Sequence, residues 1–142
     1  MPSLPFLKKK KTTSEKDLLD LSYLVDRISL ALEEEFSHGN VGRDAGFLSK
    51  SKTVGILPAG TMPPYGKKLN RAQLKDFALD DRYAGFVNGT AVKRELLEKI
   101  IGALDREKMG YKILVNRREP MPLIITTENA NIIISHMLVN YR

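Results

Sequence analysis

Four consecutive lysines, Lys8 to Lys11, are the residues of this 142-residue chain whose type and spacing point most directly to chemistry. Four adjacent ammonium groups repel one another and seek a polyanion. Each lysine is worth about 1 kcal/mol near an anionic lipid surface, and the same charges would neutralise phosphates of a nucleic acid. Leu4, Phe6 and Leu7 lie beside them and can dip into a bilayer surface while the lysines meet the headgroups. Lys8, Lys9, Lys10 and Lys11 are therefore the expected anionic-surface contacts. A second basic group, Lys93, Arg94, Lys108, Lys112, Arg117 and Arg118, surrounds a helix and the turn after the next strand. A helix, a strand, a basic turn and a strand suggest a winged helix, with Lys112, Arg117 and Arg118 as nucleic-acid contacts. Against that, acids at Glu95, Glu98, Asp105 and Glu107 interleave with these cations, the mark of a solvated, salt-bridged face.

Residue types suited to catalysis or metal binding do not assemble into a motif. The chain has no cysteine, which removes disulfides, thiolate metal sites and cysteine nucleophiles. Glu34 and His38 stand one helical turn apart, a pair but not a site. His136 alternates with Ile134 and Leu138 and reads as a core histidine. Asp80 with Asp81, and Asp105 with Glu107, read as ordinary helix-end acids. Gly60 to Lys67 fails as a phosphate loop: five residues instead of four separate Gly60 from Gly66, and Lys68 replaces the hydroxyl residue. Gly39-Asn40-Val41-Gly42 has GxxG spacing but follows an acidic helix that would repel a phosphate backbone. Met62-Pro63-Pro64-Tyr65 misses the PPxY spacing by one residue. The expectation is a protein that is not an enzyme and takes no metal and no cofactor.

Net charge is +6, unevenly placed: the first 13 residues carry four lysines and no acid, whereas residues 14–37 are acidic. A basic chain favours nucleic acid, anionic lipid or an acidic partner. No window approaches the roughly 20 apolar residues of a membrane span. Residues 1–7 are too short, too proline-rich and wrongly placed relative to the charges for a signal peptide. The expected location is intracellular, either cytoplasmic or peripheral to a membrane through the arm.

The elements that must position these residues follow in order. Residues 1–13 read as a flexible polybasic arm and residues 14–142 as one α+β domain. Ser14 to Phe36 reads as a long helix, capped by Ser14 and striped by Leu18, Leu21, Val25, Ile28 and Leu32. Its end carries Glu33, Glu34 and Glu35, where negative charge opposes the helix dipole. Residues 38–68 are rich in Gly and Pro and read as a functional loop, a segment ordered by a protein partner, or a linker between the first helix and the rest, with one short strand at Thr53 to Leu57. Asn70 to Leu79 reads as a short helix and Tyr83 to Val87 as a short strand. Thr90 caps a second long helix with the stripe Val92, Leu96, Leu97, Ile100, Ile101 and Leu104, and Gly110 suits the position past its end. Three strands follow, Tyr111 to Asn116, Met121 to Thr126 and Asn131 to Leu138.

The predicted fold is thus a long N-terminal helix, a Gly/Pro-rich middle, and a helix packed on a three- or four-stranded antiparallel sheet. Alternation places Ile113, Val115, Leu123, Ile125, Ile132, Ile134 and Leu138 on one face and Leu114, Ile124, Ile133 and Met137 on the other. Both faces are apolar, so a second cover is needed: the first helix or another subunit. The functional expectation is a self-associating structural or assembly protein, matrix- or scaffold-like as in a viral particle, that meets an anionic surface with its arm. The alternative is a nucleic-acid-binding regulator of winged-helix type.

Overall fold

In a computed structural model the described residues are 15–61, 69–72, 77–78, 82–85, 90–116 and 121–138. They form a mixed α+β fold of two helices and eleven strands in the order α1 (Glu15–Leu32), β1 (Phe36–Val41), β2 (Asp44–Ser49), β3 (Val54–Pro58), β4 (Leu69–Ala72), β5 (Phe77–Ala78), β6 (Tyr83–Gly85), β7 (Thr90–Lys93), α2 (Arg94–Arg106), β8 (Tyr111–Asn116), β9 (Leu123–Thr127), β10 (Ala130–Ile134) and β11 (Met137–Leu138). Seven strands make one antiparallel sheet in the order β1-β2-β3-β10-β9-β8-β4, and four make a smaller one, β11-β7-β6-β5. The polybasic arm, residues 1–13, lies outside the described residues.

The core forms where both helices meet one face of the large sheet. Leu21, Leu24, Val25 and Ile28 of α1, and Leu97, Ile100, Ile101 and Leu104 of α2, recur at helical spacings and are buried together. Beneath them lie Val54, Ile56, Ile113, Val115, Leu123, Ile125, Ile132 and Ile134. The strand registers explain the set. Ile113 faces Ile125, Ile125 faces Ile132, and Ile132 faces Ile56, so one apolar rung crosses four strands. Side-chain alternation in β8, β9 and β10 matches the face expected from the sequence for Ile113, Val115, Leu123, Ile125, Ile132 and Ile134, whereas Met137 and Leu138 fall on β11 in the smaller sheet.

Several sequence expectations need correction. The first helix stops at Leu32, because Glu33 enters the left-handed region (φ 55°) and the chain turns into β1. Residues 38–68 are not one loop: within them β1 and β2 form a hairpin through Gly42 and Arg43, and β3 joins the sheet centre. Gly residues read as loop punctuation are packing devices there. A Cβ on Gly46 would lie 2.5 Å from the Ile56 carbonyl oxygen and 2.8 Å from Leu57 Cδ2. Gly55 is overlain by the Val41 side chain. Residues 69–72 and 77–78 are strands, not a helix, because β4 pairs with the outer side of β8. Tertiary pairing overrides weak local propensity. Thr90 does not cap α2; it is buried in β7, opposite Leu138 of β11, and the helix begins only at Arg94. The strand expected over 131–138 breaks into β10 and β11, which belong to different sheets.

The close approach at Gly46 makes a testable contrast. Gly46→Ala must push one strand backbone away from another, and overpacking of this kind costs about 1–3 kcal/mol. Nothing lies within 4 Å of a Cβ at Gly110, so Gly110→Ala is expected to be neutral or slightly stabilising. Denaturant midpoints of the two variants check both.

The chain also folds as two similar units. α1-β1-β2-β3 and α2-β8-β9-β10 are each a helix followed by three antiparallel strands, and β3 pairs with β10 so that the six-strand order reads alike from either end. The helix ends repeat in detail. After α1, the Glu33 and Glu34 amides donate to the Leu30 and Ser29 carbonyls; after α2, those of Lys108 and Met109 donate to Asp105 and Leu104. Both are Schellman closures, both place a non-glycine residue at φ 55° (Glu33 and Lys108), and both lead three residues later into an aromatic strand start, Phe36 or Tyr111. Lys108, not Gly110, takes the left-handed position expected past the helix.

Candidate functional site

Of the sequence-derived site residues, Lys8, Lys9, Lys10, Lys11, Arg117 and Arg118 lie outside the described residues. Lys112 is exposed on β8, opposite Thr126, and alternation turns it to the face away from the helices. Lys93 ends β7 at the start of α2 and Lys108 follows that helix, both exposed. The winged-helix arrangement needs a helix over 70–79; its described residues, 70–72 and 77–78, are in β4 and β5, and α2 is preceded by a strand.

The described histidines and paired acids are not brought together. Glu34 lies past the end of α1, where its carboxylate accepts the Ser51 amide and anchors the β2–β3 turn. His38 sits on β1 and stacks on Phe47 of β2 with ring centroids 4.6 Å apart. Glu107 accepts the Tyr23 hydroxyl at 2.8 Å, a bond that ties α1 to the end of α2 and raises the tyrosine pKa. Among the described residues no group of three or more His, Asp or Glu could hold a metal ion, and no helix is long and apolar enough to cross a membrane.

His136 is half-buried in the break between β10 and β11, not within a core strand. Burial lowers its pKa, favouring the neutral ring in the folded chain. The unfolded chain therefore takes up this proton first. The His136 contribution to stability is complete above about pH 6.5, the unfolded value, and is lost as pH falls from there through the lower folded value. His136→Gln is expected to flatten that part of the stability–pH curve, measured by thermal melts between pH 5 and pH 8.

Two concave regions among the described residues lie in the groove between the helices and share Ala31 and Arg106. One of about 400 Å³ is bordered by Glu95, Glu98, Lys99 and Gly102. The other, about 240 Å³, is bordered by Arg27, Leu30, Ala103 and Glu107. The small residues Ala31, Gly102 and Ala103 set the groove floor. Its cations and acids alternate, and Lys99 pairs with Glu95 at 2.9 Å one helical turn away, so no net field marks it for an anion or a cation.

The second face of the large sheet is largely closed. Leu57 and Ile124 are buried, and Leu114 and Ile133 are half-buried. Val41 covers Gly55, and Asn131 donates a 2.8 Å hydrogen bond to the Thr61 carbonyl, which holds the end of the segment after β3, at Thr61, against that face. Both helices sit on the opposite face, so neither is this cover. Among the described residues the surface that stays open is an edge, that of β1. Sequence reasoning missed it, because Phe36 was read into the first helix and the residues after it as loop; the alternation of Phe36, His38 and Asn40 with smaller residues was the available signal.

No family model, no curated protein and no solved structure matches this chain.

Proposed function

We propose that this is a self-associating assembly or scaffold protein that contacts an anionic surface through Lys8, Lys9, Lys10 and Lys11. One observation supports self-association above the others: the large sheet ends on a six-residue strand, β1, with no described strand outside it and no charged residue within it. Backbone donors and acceptors along such an edge are a template for another strand. The sheet face, by contrast, no longer asks for a second subunit. Contact with a polyanion rests on the lysine run, the most concentrated charge in the sequence.

The test is a binding series of the full-length chain against vesicles with and without anionic lipid, duplex DNA and single-stranded RNA, each at two salt concentrations. Preferential binding to the anionic vesicles is the expected result. Salt-sensitive binding to DNA or RNA in their place would transfer the arm to a nucleic acid. Binding to none of them would remove the surface-contact role.

A further inference from the structure

We infer that β1 is a two-fold interface at which a second copy of this chain adds its own β1 antiparallel, with His38 on the symmetry axis and Glu35 of each copy set against Arg43 of the other. The interface deepens the self-association proposed above and rests on it.

The edges of the two sheets differ in a way that singles out β1. β5 and β11, the outer strands of the small sheet, are two residues long. β4, at the far end of the large sheet, has four residues and carries Arg71. Shortness and charge are the usual protections of a sheet edge. β1 has neither: Phe36-Ser37-His38-Gly39-Asn40-Val41 contains no Lys, Arg, Asp, Glu or Pro, and Ser37, His38 and Asn40 are exposed.

The hydrogen-bond pattern fixes which groups point outward. The Lys50 amide donates to the Glu35 carbonyl at 2.9 Å, so Glu35 faces β2. Backbone groups alternate along a strand in an antiparallel ladder. Glu35, Ser37, Gly39 and Val41 therefore turn theirs to β2, and Phe36, His38 and Asn40 present theirs to the open side. Opposed residues of an antiparallel pair must share a sheet face. Of the registers that satisfy this, one uses all three outward residues: His38 against His38 of the second copy, and Phe36 against Asn40 in both directions.

That register brings the charges at the strand ends together. Val41 falls opposite Glu35 of the second copy, which places Arg43, in the β1–β2 turn, diagonally next to Glu35. Diagonal cross-strand neighbours are within reach of long side chains. Glu35 and Arg43 are both exposed, and the two-fold axis makes the contact twice. The acidic run Glu33-Glu34-Glu35, unfavourable for the dipole of α1, acquires a partner. The β3–β10 pairing already joins the two similar halves of the chain by the same antiparallel device.

The chain has no cysteine, so a single introduced thiol reports only on itself. His38→Cys is expected to form a disulfide-linked dimer with oxidised glutathione, well above Asn40→Cys, which faces Phe36 and not itself. Sedimentation equilibrium on charge variants gives a second readout. Glu35→Arg alone and Arg43→Glu alone are each expected to weaken the dimer about tenfold, and the double variant to return it to within about threefold of the parent. A monomeric parent chain at all concentrations overturns both the interface and the self-association. A parent oligomer in which the His38 thiol links no better than the Asn40 thiol, or in which the double variant fails to recover, overturns this interface alone.

Discussion

Replacing Ile125 with alanine is expected to cost about 2–5 kcal/mol of unfolding free energy. Ile125 is fully buried on β9 and faces Ile113 on one side and Ile132 on the other. Ile132 in turn faces Ile56, so the residue lies inside a continuous apolar rung. The two flanking strands are held by ladder hydrogen bonds, and residues of both helices belong to the same buried cluster. None of these elements can close on a void without breaking bonds of its own. The cavity therefore persists, and the loss includes the missing packing as well as the transfer of the deleted carbons. Equilibrium denaturation should show a lower midpoint with an unchanged slope. Leu30→Ala is the matched control: Leu30 is 66 % exposed, and a change of no more than about 0.5 kcal/mol is expected there. Equal costs for the two variants would contradict the helix-on-sheet core.

Neutralising Lys8, Lys9, Lys10 and Lys11 together, as glutamines, is expected to weaken binding to anionic vesicles by about two to three orders of magnitude. Each lysine contributes about 1 kcal/mol near such a surface, and about 1.4 kcal/mol is a tenfold change in affinity. The contribution falls within a Debye length, so raising the salt should close most of the gap between variant and parent. The unfolding midpoint is expected not to move, because lysine to glutamine removes charge and leaves the apolar core residues in place. Vesicle flotation at two ionic strengths checks the affinity and a thermal melt checks the fold. Unchanged affinity would shift the contact to exposed cations on the folded elements, with Lys108 and Lys112 the next to replace.

Legibility in the sequence followed the range of the forces involved. The stripe Leu97, Ile100, Ile101 and Leu104 and the alternation of Ile113, Val115, Leu123, Ile125, Ile132 and Ile134 were readable because helical and strand periodicities are local. The gap between the strands expected to end at Thr126 and start at Asn131 holds the β9–β10 turn, where the Thr127 hydroxyl accepts the Asn129 and Ala130 amides. Residues 36–49 were not readable as strands, whereas the short strand expected at Thr53 to Leu57 matches β3. Gly39, Gly46 and Gly55 look like breaks along the chain, and only the approach of Ile56 to Gly46 and of Val41 to Gly55 shows why no side chain is there. The β2–β3 turn misled for a related reason. Ser49 and Ser51 lie in the stretch read as loop, yet the buried Ser49 hydroxyl accepts the Thr53 and Val54 amides and starts β3. The candidate site divided in the same way. The lysine run is visible as a string of letters, whereas the β1 edge exists only once β1 has a neighbour on one side and no described strand on the other.

By itself, then, the sequence determined the charge of the arm, the absence of thiol chemistry, the two helical stripes and the side-chain parity of the last strands. Each is a property of residue type or of neighbours within about one helical turn. Tertiary structure alone decided that α1-β1-β2-β3 and α2-β8-β9-β10 are similar units, that β3 and β10 join them, and that both helices share one face. It also decided that the opposite face is closed from within the chain and that β1 is left as the long edge. These depend on which strand lies beside which, and backbone pairing is chemically the same for nearly every residue. The choice of partner is made by packing between segments far apart in the chain, which no short stretch of sequence contains.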